Sequence, residues 1–381
     1  MHRLKIVRVL LGVSTFCLIT VYFLDFTGRT PAILHFLPRI QWVPALLSVT
    51  PVLSGLFLLS LFFGRLYCSA ICPLGIFQDL LIRIFKQIQK PQKVKYHYRK
   101  PAGVLRYSIL ALTLLSFFSG SMGVLILLDP YSNFGRMLSG VFRPVFLLLN
   151  NILARIFHAF EWYSIPVYPV EITGLTILSV GSGILILLIL VLFTVRHGRM
   201  YCNTICPVGT FLGMMAKISL FRLTIDKVEC TGCGVCGTVC KGECIDSKHQ
   251  TIDVSRCVTC FNCLKICRKN AVKYKFVLPS SVKKTSPAYM NESRRKALRF
   301  SGVLLGSFVA QRAASAIQTK SADPAASRRV ILPPGAVSKD QFNKKCTGCQ
   351  LCVTKCPSHV LQPATLQYGF GGILQPHLVY R

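Results

Sequence analysis

The chain has 381 residues, 52% of them hydrophobic, and a mean hydropathy of +0.51, which excludes an ordinary soluble globule and points to a membrane protein. Its 45 Lys and Arg against 13 Asp and Glu give a formal net charge of +32. These basic residues flank hydrophobic segments instead of forming a stripe, so membrane topology accounts for most of them and nucleic acid is not an expected partner.

Of eighteen cysteines, sixteen fall into C-x2-C or C-x3-C runs, a pattern for metal binding or dithiol chemistry and not for disulfides. No C-x-x-C-H occurs and the long uncharged spans carry no His, so neither covalent c-type haem nor a bis-His haem is expected.

The basic start, with Arg3, Lys5 and Arg8, leads into residues 9–24, a first membrane helix or uncleaved signal anchor. Cys17 within it reads as a small apolar filler. Residues 43–63 are uncharged and predict a second span, with Pro44 and Pro51 as kinks. Residues 107–128 predict a third span and 172–195 a fourth, each long enough to cross about 30 Å of hydrocarbon. The 83–106 loop carries eight Lys or Arg and no acid, which sets it, the N-terminus and the chain just after Val195 on the cytoplasmic side. The short apolar run 144–154, between Arg143 and Arg155, predicts an interfacial helix on the outer face. Asp129 and Tyr131, at the outer end of the third span, are candidates for a quinone site, although Asp129 beside Pro130 also reads as a helix cap.

An internal repeat follows the second and fourth spans. Gly64-Arg65-Leu66-Tyr67-Cys68-Ser69-Ala70-Ile71-Cys72-Pro73 matches Gly198-Arg199-Met200-Tyr201-Cys202-Asn203-Thr204-Ile205-Cys206-Pro207. A helical i, i+4 spacing puts both cysteines of each pair on one face. Four thiols from two equivalent helix ends can bind a metal or cluster, form a redox dithiol, or shape a docking site. Helix-end packing alone explains the Gly and Pro but not paired cysteines twice over.

The densest motif is Cys230-x2-Cys233-x2-Cys236-x3-Cys240 followed by Cys257-x2-Cys260-x2-Cys263-x3-Cys267. In this spacing three thiolates of one tight loop grip three irons of a [4Fe-4S] cubane, and the fourth Cys of each run serves the other cluster. Cys230, Cys233, Cys236 and Cys267 are thus assigned to one cluster, and Cys257, Cys260, Cys263 and Cys240 to the other. Structural zinc is the alternative, but zinc motifs pair two C-x2-C hooks and have no use for a regular third and fourth Cys. Lys241 and Arg268 stand where a proline usually follows the fourth Cys. Cys244 occupies the position equivalent to Ala271; it packs as a small residue near the cluster or replaces Cys240 as ligand.

Ten Lys or Arg and one Glu fill the linker 268–299. Ser293-Arg294-Arg295-Lys296, a weak apolar run 300–310 and Ala314-Ser315-Ala316 form a twin-arginine-like export signal, or else a basic amphipathic helix. Residues 321–334 read as a flexible tether. A final run, Cys346-x2-Cys349-x2-Cys352-x3-Cys356-Pro357, predicts a third cluster. No partner run follows it before Arg381, so a truncated chain or a gene that lost its distal half is expected, and the third cluster then lacks its fourth ligand unless Cys356 folds back to it.

The twin Gly-Arg-x-Tyr-Cys-x3-Cys-Pro motifs, the helical membrane region and the two-cluster motif together resemble the NapH-type membrane-bound 4Fe-4S ferredoxins. The membrane regions of the NosR and CcoG families are similar, and residues 290–381 resemble the start of a NapG/MauM-type exported ferredoxin. The resemblance implies four to five transmembrane α-helices, a bacterial-type 2[4Fe-4S] α+β ferredoxin domain and a partial second ferredoxin module. The expected division is 1–220 membrane region, 221–278 cytoplasmic ferredoxin domain, 279–345 linker with signal or anchor, and 346–381 partial module, with 321–381 periplasmic. The implied setting is the bacterial inner membrane, multi-pass, with electrons relayed between the quinone pool and a periplasmic or membrane redox partner. Cys68, Cys72, Cys202 and Cys206 match the family's membrane motifs. A CcoG-like metal-reducing assembly factor and a membrane-bound iron–sulfur redox sensor are the alternative functions.

Overall fold

The computed structural model describes residues 2–26, 30–48, 51–88, 96–161, 168–171, 176–277, 331–356, 358, 360–364, 368 and 370–379. The expected linker, export signal and most of the tether, at 278–330, lie outside the described residues. Among the described residues, three helices are long and apolar enough to cross a membrane: Arg3–Leu24, Pro130–Ala159 and Ile177–His197. Pro51–Phe63, Gly103–Phe118 and Pro207–Ala216 are shorter apolar helices.

Helix α1 (His2–Leu24) runs the height of the bundle. A 3-10 helix, Ala32–Ile40, leads to α2 (Trp42–Ser48) and α3 (Pro51–Phe63). The described residues of the expected span 43–63 lie in these two helices, and Pro51 stands at the start of α3, where proline lacks only an N–H that a first turn does not use. Trp42 is buried at this joint, its ring 5.0 Å from Phe57 and 5.5 Å from Phe211.

The expected span 107–128 also divides. Helix α6 (Gly103–Phe118) stops at Ser119-Gly120-Ser121, and α7 (Gly123–Leu128) folds back beside it. Gly120 takes φ +82, and the Ser116 hydroxyl donates to the Ser121 carbonyl at 2.7 Å. A Ser/Gly turn needs this positive φ, and it overrides the hydrophobic run.

Asp129 then caps α8 (Pro130–Met137). A π-turn, Leu138–Phe142, joins it to α9 (Arg143–Ala159). The expected interfacial helix 144–154 is therefore the far half of one 30-residue helical stretch. Its near half packs on α10 (Ile177–His197) and on α5 (Pro73–Ile88), while Val145, Leu148, Leu149, Ile152 and Leu153 of its far half stay exposed.

The repeat motifs are a single helical turn, α4 (Tyr67–Ala70), and a π-turn, Tyr201–Ile205. Neither is the regular helix that an i, i+4 reading implies. Each is followed by a helix opened by proline, α5 and α11 (Pro207–Ala216).

Beyond α11 the chain forms an α+β unit. Strand β1 (Phe221–Ile225) pairs antiparallel with β4 (Val272–Phe276), Ile225 opposite Val272. Strands β2 (Ile245–Asp246) and β3 (Thr251–Ile252) form a second hairpin, and α12 (Val235–Thr238) and α13 (Asn262–Ile266) follow the two cysteine loops. Glu243 (φ 50) and Asn270 (φ 52) occupy equivalent left-handed turns, so Cys244 and Ala271 are buried counterparts in two similar halves.

The last described unit holds α14 (Lys339–Lys345), α15 (Leu351–Lys355) and the β5 (Leu361–Pro363) and β6 (Pro376–Leu378) hairpin. The two units meet opposite ends of α1. Arg8 pairs with Asp79, which also binds Lys241 of the first unit, while Asp25 pairs with Lys355 of the second. From residue 8 to 25, α1 rises about 26 Å, close to a bilayer's hydrocarbon thickness.

Candidate functional site

The three cysteine loops share one backbone. In each, the residues before and after the second cysteine both take positive φ: Gly232 and Gly234 around Cys233, Thr259 and Phe261 around Cys260, Gly348 and Gln350 around Cys349. Thr259, Phe261 and Gln350 hold this strained conformation without glycine's freedom. Such alternation turns the loop tightly and gathers backbone N–H groups on one side, as a cradle for an anionic group does. A short helix then carries the third cysteine, and the fourth, Cys267 or Cys356, ends it in extended conformation.

Cys240, Cys257, Cys260 and Cys263 line one cavity, together with Cys244, Leu223, Ile245 and Val258. Cys240 thus stands with the run 257–263 and away from the start of its own. The Cys240 and Cys244 sulfurs are 3.4 Å apart. The hydrogen bond from Cys244 draws the Cys240 thiol down to about 7, and Cys244 itself is pushed well up by donating to Cys240 and Cys257. Cys236 lies in electrostatic reach of Cys230 and Cys233. In the last loop, burial and then the neighbouring Cys352 and Cys349 push the Cys346 thiol up, and Cys352 lies in reach of Cys356.

Cys68, Cys72, Cys202 and Cys206 are all buried, 3–5% exposed, in one hydrophobic core. A pseudo-twofold relates them. Arg65 donates to the Cys202 carbonyl at 3.0 Å, and Arg199 donates to the Cys68 carbonyl at 2.8 Å. Each motif's arginine therefore braces the other motif's first cysteine. A Cβ on Gly75 would sit 2.2 Å from the Cys68 carbonyl oxygen, and one on Gly209 2.2 Å from that of Cys202, so only glycine allows either turn to close. Tyr67 donates to Gln41 Oε1 at 2.9 Å, and Tyr201 accepts from Asn133 Nδ2 at 2.8 Å. Asp79 holds the buried Arg199, with Nε at 2.8 Å from Oδ1. The sequence exposed the arginines as part of the repeat, but Asp79 and the neighbouring Gln78 had no signal there, since their partners in the second motif, Arg199 and Cys202, lie 120 and 124 residues away.

The same network seats the ferredoxin-like unit. Arg65 and Arg106 both donate to the Ser255 carbonyl, at 3.0 and 2.8 Å, and Asn203 donates to the Gly242 carbonyl at 3.2 Å. The last loop is seated on α8 and α10: Ser132 donates to the Thr347 carbonyl at 2.7 Å, and Ser139 and Ser179 donate to Gln350 Oε1 at 2.7 and 3.0 Å. Asp129, a quinone-site candidate, accepts from both the backbone and the hydroxyl of Ser132 at 2.7 Å and so acts as a cap. The Tyr131 hydroxyl beside it is buried with no hydrogen-bond partner.

These sites form a line. Cys260 and Cys349 both pack on the core that contains Cys68, Cys72, Cys202 and Cys206. Along α1, Cys260 lies in reach of Lys5, Ser69 contacts Gly12, and Cys349 lies in reach of Tyr22. Among the described residues no three His, Cys, Asp or Glu side chains gather closely enough to chelate one metal ion. Ligands of a multi-iron cluster bind separate irons and stand farther apart.

Comparison with known proteins gives the same chemistry for two regions. A family described as a 4Fe-4S binding domain matches in two parts, residues 45–92 and 180–226, which contain Cys68 and Cys72, and Cys202 and Cys206. A 4Fe-4S dicluster domain matches residues 253–360, taking in the runs from Cys257 and from Cys346. The chain is 24% identical over 215 residues to an uncharacterized protein of Methanocaldococcus jannaschii, covering 55% of this chain and 64% of that one. It is 25% identical over 240 residues to the ferredoxin-type protein NapH of Escherichia coli, covering 60% and 68%. It is 25% identical over 193 residues to the methylamine utilization ferredoxin-type protein MauN of Methylobacillus flagellatus, covering 50% and 52%. The chain therefore spans about half to two thirds of the length of these relatives. No solved structure matches it.

Apolar spans, 4Fe-4S family matches and these relatives support a membrane-associated iron–sulfur protein of the electron-transfer class. The chain is similar to the NapH-type 4Fe-4S ferredoxins.

Proposed function

We propose that this protein relays electrons along the membrane bundle between the quinone pool and a redox partner, with a redox centre at each end and one between. Cys230, Cys233, Cys236 and Cys267 hold one [4Fe-4S] cluster, Cys257, Cys260, Cys263 and Cys240 a second, and Cys346, Cys349, Cys352 and Cys356 a third. The buried quartet Cys68, Cys72, Cys202 and Cys206 holds the middle centre. Bound clusters supply one-electron redox chemistry with no proton change of their own.

The observation that carries this reading is the single core in which the quartet lies between Cys260 and Cys349. The shared loop backbone and the thiol-lined cavity suit the donor set to cubane clusters. The basic 83–106 loop supports a reading with the ferredoxin end in the cytoplasm and the 346–356 loop on the outer side. Exposed Arg268 and Lys269 suit an acidic redox partner at the cytoplasmic end. The metal-reducing alternative needs thiols that exchange ions with water, and the burial of all four counts against it.

The test is anaerobic purification in detergent, iron and sulfide analysis, and EPR after adding a menaquinol analogue. About twelve irons for the three cubanes, with any iron of the middle centre in addition, and quinol-reduced signals are expected. Clusters that stay oxidised under quinol contradict the quinone-linked relay.

A further inference from the structure

The pseudo-twofold around the quartet is broken at one position. Arg65 and Arg199, Tyr67 and Tyr201, and Gly75 and Gly209 are paired by the repeat. Six residues after the second cysteine of each motif stand Gln78 and Leu212, both fully buried. Leu212 packs in the core, whereas Gln78 brings an amide to the thiols: the Cys202 thiol lies 3.1 Å from Gln78 Oε1. Gln78 Nε2 is buried with no hydrogen-bond partner. A buried amide N–H without an acceptor is costly enough that such groups are rare in native folds.

A protonated Cys202 donates to Oε1. A metal-ligating Cys202 is a thiolate and accepts only. Turning the Gln78 amide by half a turn exchanges its two ends, which are assigned from hydrogen bonding alone. The N–H then faces the Cys202 sulfur, and the orphaned donor gains the acceptor that it lacks.

We propose that Gln78 is the potential-setting residue of the centre held by Cys68, Cys72, Cys202 and Cys206, donating its amide N–H to sulfur on the Cys202 side while Leu212 offers no side-chain donor at the matching position. This rests on the reading of the quartet as a redox centre. Hydrogen bonds to cluster sulfur stabilise the more negative, reduced state and raise the potential. The centre is thereby placed above the potential that its four buried thiolates alone would give.

The experiment is an EPR-monitored redox titration of the anaerobically purified full chain, comparing wild type with Gln78→Leu and the near-isosteric Gln78→Met. The expected result is unchanged iron content and one signal shifted to more negative potential in both variants, with the ferredoxin-domain signals unmoved. A signal from the quartet that stays at the wild-type potential in both variants overturns the assignment. Cys68→Ser and Cys206→Ser variants run alongside: if they leave iron content and every signal unchanged, the quartet holds no centre, and both the reading and the Gln78 assignment fall.

Discussion

Cys240 and Cys244 compete for one cavity, and their different surroundings separate their roles. Cys240 is the thiol that its neighbours draw toward the thiolate form, and Cys244 is the donor that does so. Cys240→Ser is expected to remove roughly four of the eight irons held by two cubanes, whereas Cys244→Ala leaves iron content unchanged; the reverse pattern in iron analysis would make Cys244 the ligand. Gly75→Ala puts a methyl 2.2 Å from a backbone oxygen that cannot move without opening the Cys68 turn. The expected loss is about 2–3 kcal/mol, read as a lower unfolding midpoint in detergent. At this scale the cysteine spacing made all three loops legible in the sequence. It did not reveal the left-handed Thr259, Phe261 and Gln350, because no local propensity favours that conformation for those residues and only the closed loop imposes it.

Helix α5 is the element on which the assembly turns. Its Asp79 joins Arg8 of α1, Arg199 of the second motif and Lys241 of the ferredoxin-like unit. Asp79→Asn leaves the fully buried Arg199 without its counter-charge, and about 3–5 kcal/mol of stability should go with it. Amide exchange should rise around Lys241 in the same variant; unchanged exchange there would show that Asp79 does not seat that unit. Adding Arg199→Met to Asp79→Asn should recover part of the loss, since it removes the unpaired charge. The sequence marked the first and last long spans well, because each is an unbroken apolar run. It missed the break within 107–128 because hydropathy counts the Ser119-Gly120-Ser121 turn as neutral while backbone geometry does not, whereas the kink expected at Pro51 falls where α3 opens. Asp79 was equally hidden, since an acid in an amphipathic helix reads as surface until the arginine at position 199 arrives.

The molecule as a whole sets two iron–sulfur modules at opposite ends of α1, with four buried thiols between. The internal repeat announced that the thiols were equivalent, and the structure adds that they share one core with the reciprocal arginines. What the sequence could not supply was the seat of the 346–356 loop, which depends on Ser132, Ser139 and Ser179, small polar residues without a motif. The central claim is that electrons pass from end to end, and it is tested most directly in proteoliposomes carrying trapped ferricyanide, with a membrane-impermeant reductant added outside. The account predicts ferricyanide reduction well above that of empty vesicles, abolished when Cys68 and Cys202 are both changed to serine. Reduction of the outward-facing clusters with the trapped ferricyanide left untouched would contradict it.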